Sequence, residues 1–116
     1  MRELGGYIKT WKKENISEIA TIEKCVAEFI IRDKGIIPFD KFKLGIFRNQ
    51  RGYFNGYTNI GIILDGCPEF GVGFGNTIEE ALEDTIQNFI NEVTNRKNEL
   101  GKLTDSDFEW ADPHDF

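Results

Sequence analysis

Histidine is almost missing from this sequence: His114 is the only one in 116 residues, and no serine or cysteine beside it forms a nucleophile elbow or a Cys-His pair. A hydrolase is not expected, and the chain reads as non-enzymatic. Cysteine is scarce too. Cys25 and Cys67 stand alone, without a Cys-x-x-Cys motif or a multiple-cysteine framework, which predicts two reduced thiols. Long apolar runs are absent. The opening MRELGGYIKTWKK has no apolar stretch of the kind a secretory signal needs, and nothing approaches the roughly 20 apolar residues that cross a bilayer. A cytoplasmic protein with no membrane partner is expected.

What is present suits one folded domain. The composition is 40% hydrophobic with 10 Phe and 12 Gly, enough apolar surface to offset chain entropy at roughly 25 cal/mol per Å² buried. The formal charge of −6 is unevenly distributed. Residues 1–53 hold 11 Lys+Arg and 7 Asp+Glu, net +4, whereas residues 54–116 hold 3 Lys+Arg and 13 Asp+Glu, net −10. Such asymmetry steers association with an oppositely charged surface, although it also serves ordinary solubility.

Asn15-Ile16-Ser17-Glu18 resembles a helix start, and Ile19, Ile22, Val26, Phe29 and Ile30 follow at three- and four-residue steps. This predicts a helix over 16–33, with Gly35 at its left-handed stop and Pro38 holding the chain extended beyond. Phe42, Leu44 and Ile46 alternate with Lys41, Lys43 and Gly45 as in a strand, and a turn follows at 49–52. Residues 53–64 and 70–75 read as a hairpin around Asp65-Gly66-Cys67-Pro68. Thr77-Ile78-Glu79-Glu80 is a capping box, and Ile78, Ala81, Leu82, Ile86, Phe89, Ile90 and Val93 form an apolar stripe, predicting a helix over 77–97. The expected organisation is a single α+β domain over 1–101, with an acidic aromatic tail over 102–116.

The order helix, three strands, helix, with Gly73-Phe74-Gly75-Asn76-Thr77 entering the last helix, resembles the double-stranded-RNA-binding domain. That resemblance implies an α-β-β-β-α fold, a three- or four-stranded antiparallel sheet with the helices on one face. Gly73, Gly75, Thr77 and Ala81 fall at that family's motif positions, but Ile78, Glu79 and Leu82 stand where it has lysines. Phosphate contact supplies most sequence-independent affinity for nucleic acid, so an acidic helix end is expected to abolish it. The segment Gly75 to Asp84 is also similar to HicB-type antitoxins, which neutralise a toxin. Here, however, Asp65-Gly66-Cys67-Pro68 stands in place of their Pro-Gly-Cys segment.

The candidate partner-binding residues are therefore Glu79, Glu80, Glu83 and Asp84 on the helix, and Asp105, Asp107, Glu109, Trp110, Asp112 and Asp115 in the tail. The carboxylates on the helix also suit the positive end of its dipole, and the tail aromatics Phe108, Trp110 and Phe116 either fold back onto the domain or anchor it in a partner's groove. Asp105, Asp107 and Glu109 alternate as in a calcium loop, but Trp110 occupies the place of the required glycine and Phe116 that of the bidentate glutamate, so no metal and no cofactor is expected. Gly71, Gly73 and Gly75 read as points where another element packs closely on the sheet.

The expected function is binding and neutralisation of a basic protein, whether toxin, nuclease or defence effector, by imitation of nucleic acid. Immunity proteins, antitoxins and anti-defence inhibitors all fit. An alternative is a nucleic-acid-binding module that uses the basic first half, where Tyr7, Lys9, Trp11, Lys12 and Lys13, and again Lys41, Lys43, Arg48, Arg51 and Tyr53, interleave rings with cations. Self-association as a homodimer through a sheet edge is a third reading.

Overall fold

The structure, a computed structural model, describes residues 23–112. Their elements run β1 (Glu23–Arg32), β2 (Lys41–Asn49), β3 (Phe54–Leu64), β4 (Cys67–Gly75), α1 (Ile78–Leu100), a single 3₁₀ turn (Asp105–Asp107) and β5 (Phe108–Trp110). All strand pairs are antiparallel, in the order β1-β2-β3-β4. β5 takes the side of β3 opposite β4, pairing Ile60 with Trp110 and Ile62 with Phe108 just beyond the point where β2 leaves off at Leu44–Thr58.

The helix-first α-β-β-β-α layout is thus overturned. The class remains α+β, but among the described residues the order is β-β-β-β-α-β. Residues 23–32, expected in a helix over 16–33, form an edge strand, and residues 16–22 lie outside the described part. The helical spacing of Val26, Phe29 and Ile30 comes from a bulge at Val26 and from Ile30, which is exposed on the face opposite Phe29. Cys25 pairs with Phe47 and Ala27 with Ile46, leaving Val26 as an extra residue that breaks the two-residue period. Ala27, Phe29 and Ile31 then alternate inward against Leu44, Ile46 and Ala81, and the β-branched residues favour the pleat. Gly35 is left-handed, with φ +101°, but it shapes the β1–β2 connection. There the Asp33 carboxylate accepts the backbone N–H groups of Gly35, Ile36 and Ile37 at 2.8–3.0 Å.

Helix α1 starts where its capping residues dictate. The Thr77 hydroxyl accepts the Glu80 N–H at 3.0 Å, and the Glu80 carboxylate accepts the Asn76 N–H at 2.8 Å. Gly101, left-handed at φ 83°, ends it by donating its N–H to the Lys97 carbonyl. Ala81, Thr85, Phe89 and Val93 are buried at four-residue steps and lie on one face of the sheet. Gly71, Gly73 and Gly75 all face this helix: a Cβ on Gly73 would meet the Thr85 backbone, and one on Gly75 the backbone of Glu80 and Ala81. The helix therefore packs against β4 at backbone distance.

Two apolar clusters fill the interface. Ile37, Phe42, Ile60, Ile62, Phe89, Val93 and Phe108 form the larger, and Leu44, Ile46 and Ala81 the smaller. Each large side chain buried there contributes roughly 1.5–3 kcal/mol relative to exposure. In β3 a wide irregularity sets Thr58, Asn59 and Ile60 opposite the single residue Gly71. The buried Thr58 hydroxyl repairs the ladder, accepting from the Gly71 N–H at 2.7 Å and donating to the Ile60 carbonyl at 2.8 Å. No described helix is long and apolar enough to cross a membrane.

Candidate protein-docking site

The four helix carboxylates share the N-terminal half of α1, which flanks the outer edge of β4. They do not share one role. Glu80 is occupied by the Asn76 N–H, and Asp84 accepts the Phe74 N–H at 3.0 Å. One turn on, Asn88 donates its side-chain amide to the Val72 carbonyl at 2.8 Å. Residues 72 and 74 turn their backbone groups away from β3, so Asp84 and Asn88 satisfy an edge that would otherwise present open hydrogen-bonding groups. Glu79 and Glu83, one turn apart, are exposed. Glu83 lines a groove of about 690 Å³ together with Phe74, Glu80, Asp84, Ile86 and Gln87. Phe74 is 69% exposed, the most open large apolar side chain described.

The tail residues are placed elsewhere. Phe108 is buried in the main core, and Trp110 packs edge-on against Phe39 with ring centroids 5.1 Å apart. Asp107 closes the 3₁₀ turn by accepting the Thr104 N–H at 2.8 Å, while Asp105 is exposed in the same turn. Glu109 stands opposite Gly61 on the sheet face away from the helix, and Asp112 is exposed just beyond β5. Asp115, like His114 and Phe116, lies outside the described residues. Since β5 and β4 flank opposite sides of β3, the helix carboxylates and the tail carboxylates do not form a single cluster.

The sequence reading missed a second groove, on the open face of the sheet. It measures about 810 Å³, and Glu23, Tyr57, Phe70, Val72, Glu109 and Asp112 are among its lining residues. Tyr57 packs edge-on against Phe47, ring centroids 5.6 Å apart. Burial raises the Tyr57 phenol above its ordinary pKa, and the Glu23 carboxylate, which repels the phenolate and bonds the hydroxyl, adds to the effect. A signal for this face was present in the sequence. Once Gly71, Gly73 and Gly75 are assigned to the helix side, Phe70, Val72 and Phe74 must point the other way.

At the helix edge, Glu92 is pushed above the usual carboxylate range, first by burial and then by the charge of Glu69. Cys25 and Cys67 are free, exposed thiols. No cluster of three or more His, Cys, Asp or Glu side chains suited to a metal ion occurs among the described residues. Compared with known proteins, the chain matches no protein-family model, no curated protein and no solved structure.

Proposed function

We propose that this protein works without catalysis, binding and neutralising a basic protein partner of the toxin, nuclease or defence-effector kind by offering carboxylates where that partner holds nucleic acid. The observation that carries this reading is the exposed Glu83 and the bare Phe74 ring lining one groove, with the exposed Glu79 one helical turn from Glu83. An aromatic anchor rimmed by charge is the composition of a binding hot spot, and the carboxylates add long-range attraction to a cationic surface. Glu80 and Asp84 serve by holding the helix and the β4 edge in place, so the contact carboxylates reduce to Glu79 and Glu83. The tail acids are secondary contacts of a separate surface.

One observation favours the alternative reading, a nucleic-acid-binding module. Arg32 is directly opposite Lys41 in the β1–β2 ladder, and Lys43 follows on the same face, a concentration of cations at one corner of the sheet. Like charges placed opposite each other are unfavourable in a sheet unless a ligand offsets them.

Affinity capture from host lysate at low salt, followed by calorimetry with the recovered partner, separates the two. The inhibitor reading expects a basic protein whose Kd weakens about tenfold or more in the Glu79→Gln/Glu83→Gln chain, with Arg32→Ala/Lys41→Ala unchanged. Salt-sensitive retention of duplex RNA or DNA, lost in Arg32→Ala/Lys41→Ala, would replace it with the nucleic-acid module.

A further inference from the structure

The sheet face turned away from α1 does not look like a surface made for water. Antiparallel sheets commonly leave one face solvated and polar. On β3 and β4 that face carries Val72, 51% exposed, paired across the ladder with the half-buried Tyr57 and followed by the half-buried Phe70, while the cations Arg32, Lys41 and Lys43 stand at its far corner on β1 and β2. Contiguous apolar surface of this kind marks a docking site. Gly61 pairs with Glu109 on one neighbouring strand and Phe70 on the other, and the Phe70 ring lies close over it. Four carboxylates line the groove, those of Glu23, Glu69, Glu109 and Asp112, and no lysine or arginine is among the described lining residues. The occupant that fits is apolar, aromatic and cationic.

Such a segment is encoded in the chain itself. Residues 7–13 read Tyr-Ile-Lys-Thr-Trp-Lys-Lys, with two aromatic rings, one isoleucine, three ammonium groups and no carboxylate. We propose that this segment docks in cis on the open sheet face, its rings against Tyr57, Phe70 and Val72 and its lysines on the carboxylates of the groove. The connection is geometrically easy. Glu23 lines the groove and is the first residue of β1. Ten positions separate Lys13 from it, a reach of up to about 33 Å, while the strands to be crossed lie only about 4.8 Å apart. Tethering also places the segment at an effective concentration on the order of millimolar, which favours it over the same chemistry supplied from outside. The inference does not rest on the function proposed above, because this groove and the one at Phe74 and Glu83 share no lining residue.

The sequence holds two tryptophans, Trp11 and Trp110, so Trp110→Phe in the full chain leaves Trp11 as the sole reporter. Docking predicts blue-shifted Trp11 emission shielded from acrylamide, and both features revert toward those of tryptophan in water when Val72→Glu is added, with the far-ultraviolet dichroism unchanged. Carbodiimide cross-linking of an equimolar mixture of light and heavy-isotope protein provides the second measurement. Lys9, Lys12 or Lys13 should link to groove carboxylates within one isotope class. Water-like Trp11 emission in the Trp110→Phe chain overturns the proposal, and so do links that join light to heavy chains, which would give the face to a second copy.

Discussion

Asp84 and Phe74 are joined by a 3.0 Å hydrogen bond from the backbone N–H of an edge strand to a helix carboxylate. Together with the Asn88 bond to the Val72 carbonyl, it makes α1 a cover for the β4 edge as well as a partner of the sheet face. Homodimers formed by pairing two β4 edges are thereby opposed, since the groups they require are already in use. Replacing Asp84 and Asn88 together by alanine is expected to cost about 2–4 kcal/mol of stability, as a charged and a neutral hydrogen bond are lost and two backbone groups freed. It should also produce a concentration-dependent dimer or aggregate in sedimentation velocity runs where the parent chain sediments unchanged across the same concentrations.

The glycines divide into two groups that substitution tells apart. A Cβ at Gly73 would collide with the backbone of Thr85, which a rigid helix cannot move away cheaply, whereas Gly66 at φ 82° meets nothing within 4 Å. Gly73→Ala is therefore expected to cost about 3 kcal/mol or more, or to prevent folding. Gly66→Ala should cost only the left-handed strain of roughly 1 kcal/mol. Urea unfolding of the two variants against the parent measures the difference, and equal midpoints would mean that α1 does not sit on β4 at backbone distance.

Elements whose signals are local were legible in the sequence. Thr77 and Glu80 at one end of α1 and the buried series Ala81, Phe89 and Val93 within it use only neighbouring residues, as does the β3–β4 turn at Asp65 and Gly66, both with positive φ. Strand β1 was obscured because Val26 is extra to the ladder, and a bulged strand with apolar residues at 26, 29 and 30 has the same spacing as a helix face. Strand β5 was hidden for another reason. It is three residues long, too short to show a period, and pairs with Ile60–Ile62, more than forty positions away, so no nearby pattern announces it. The candidate carboxylates were found by charge alone. Which of them are taken up by backbone N–H groups, as Glu80 and Asp84 are, depends on where the helix docks.

The burial of Glu92, with the charge of Glu69 added to it, gives the stability a pH dependence at the acid end. With its pKa raised in the folded state, Glu92 holds its proton more tightly there than in the unfolded chain, so its contribution is most favourable when protonated and is lost as pH rises through the carboxylate range. Glu92→Gln should consequently raise the Tm at pH 7, and the gain should shrink to nothing once the pH falls below the ordinary glutamate range. Thermal melts of both chains across that interval test the sign. A Glu92→Gln variant less stable than the parent at neutral pH would show that the carboxylate is held by a favourable contact.

Whether the segment after α1 is an appendage or part of the domain is decided at Phe108. Its ring is buried, meets Phe39 edge-on with centroids 5.9 Å apart, and belongs to the same cluster as Phe89 and Ile62. The strand hydrogen bonds to β3 hold it there, continued by the Ala111 N–H on the Asn59 carbonyl at 2.8 Å. A ring lost from a closed apolar cluster leaves a cavity that neighbours fill only in part, so Phe108→Ala is expected to cost about 3–5 kcal/mol and lower the Tm of the whole domain cooperatively. Trp110→Ala, which removes a half-exposed ring from Phe39, should cost less than half of that. Hydrogen exchange then separates cause from consequence. If β5 is structural, Phe108→Ala accelerates exchange at Ile60, Gly61 and Ile62 more than at residues of β1, whereas a tail that merely rests on the surface would leave the β3 amides as protected as before.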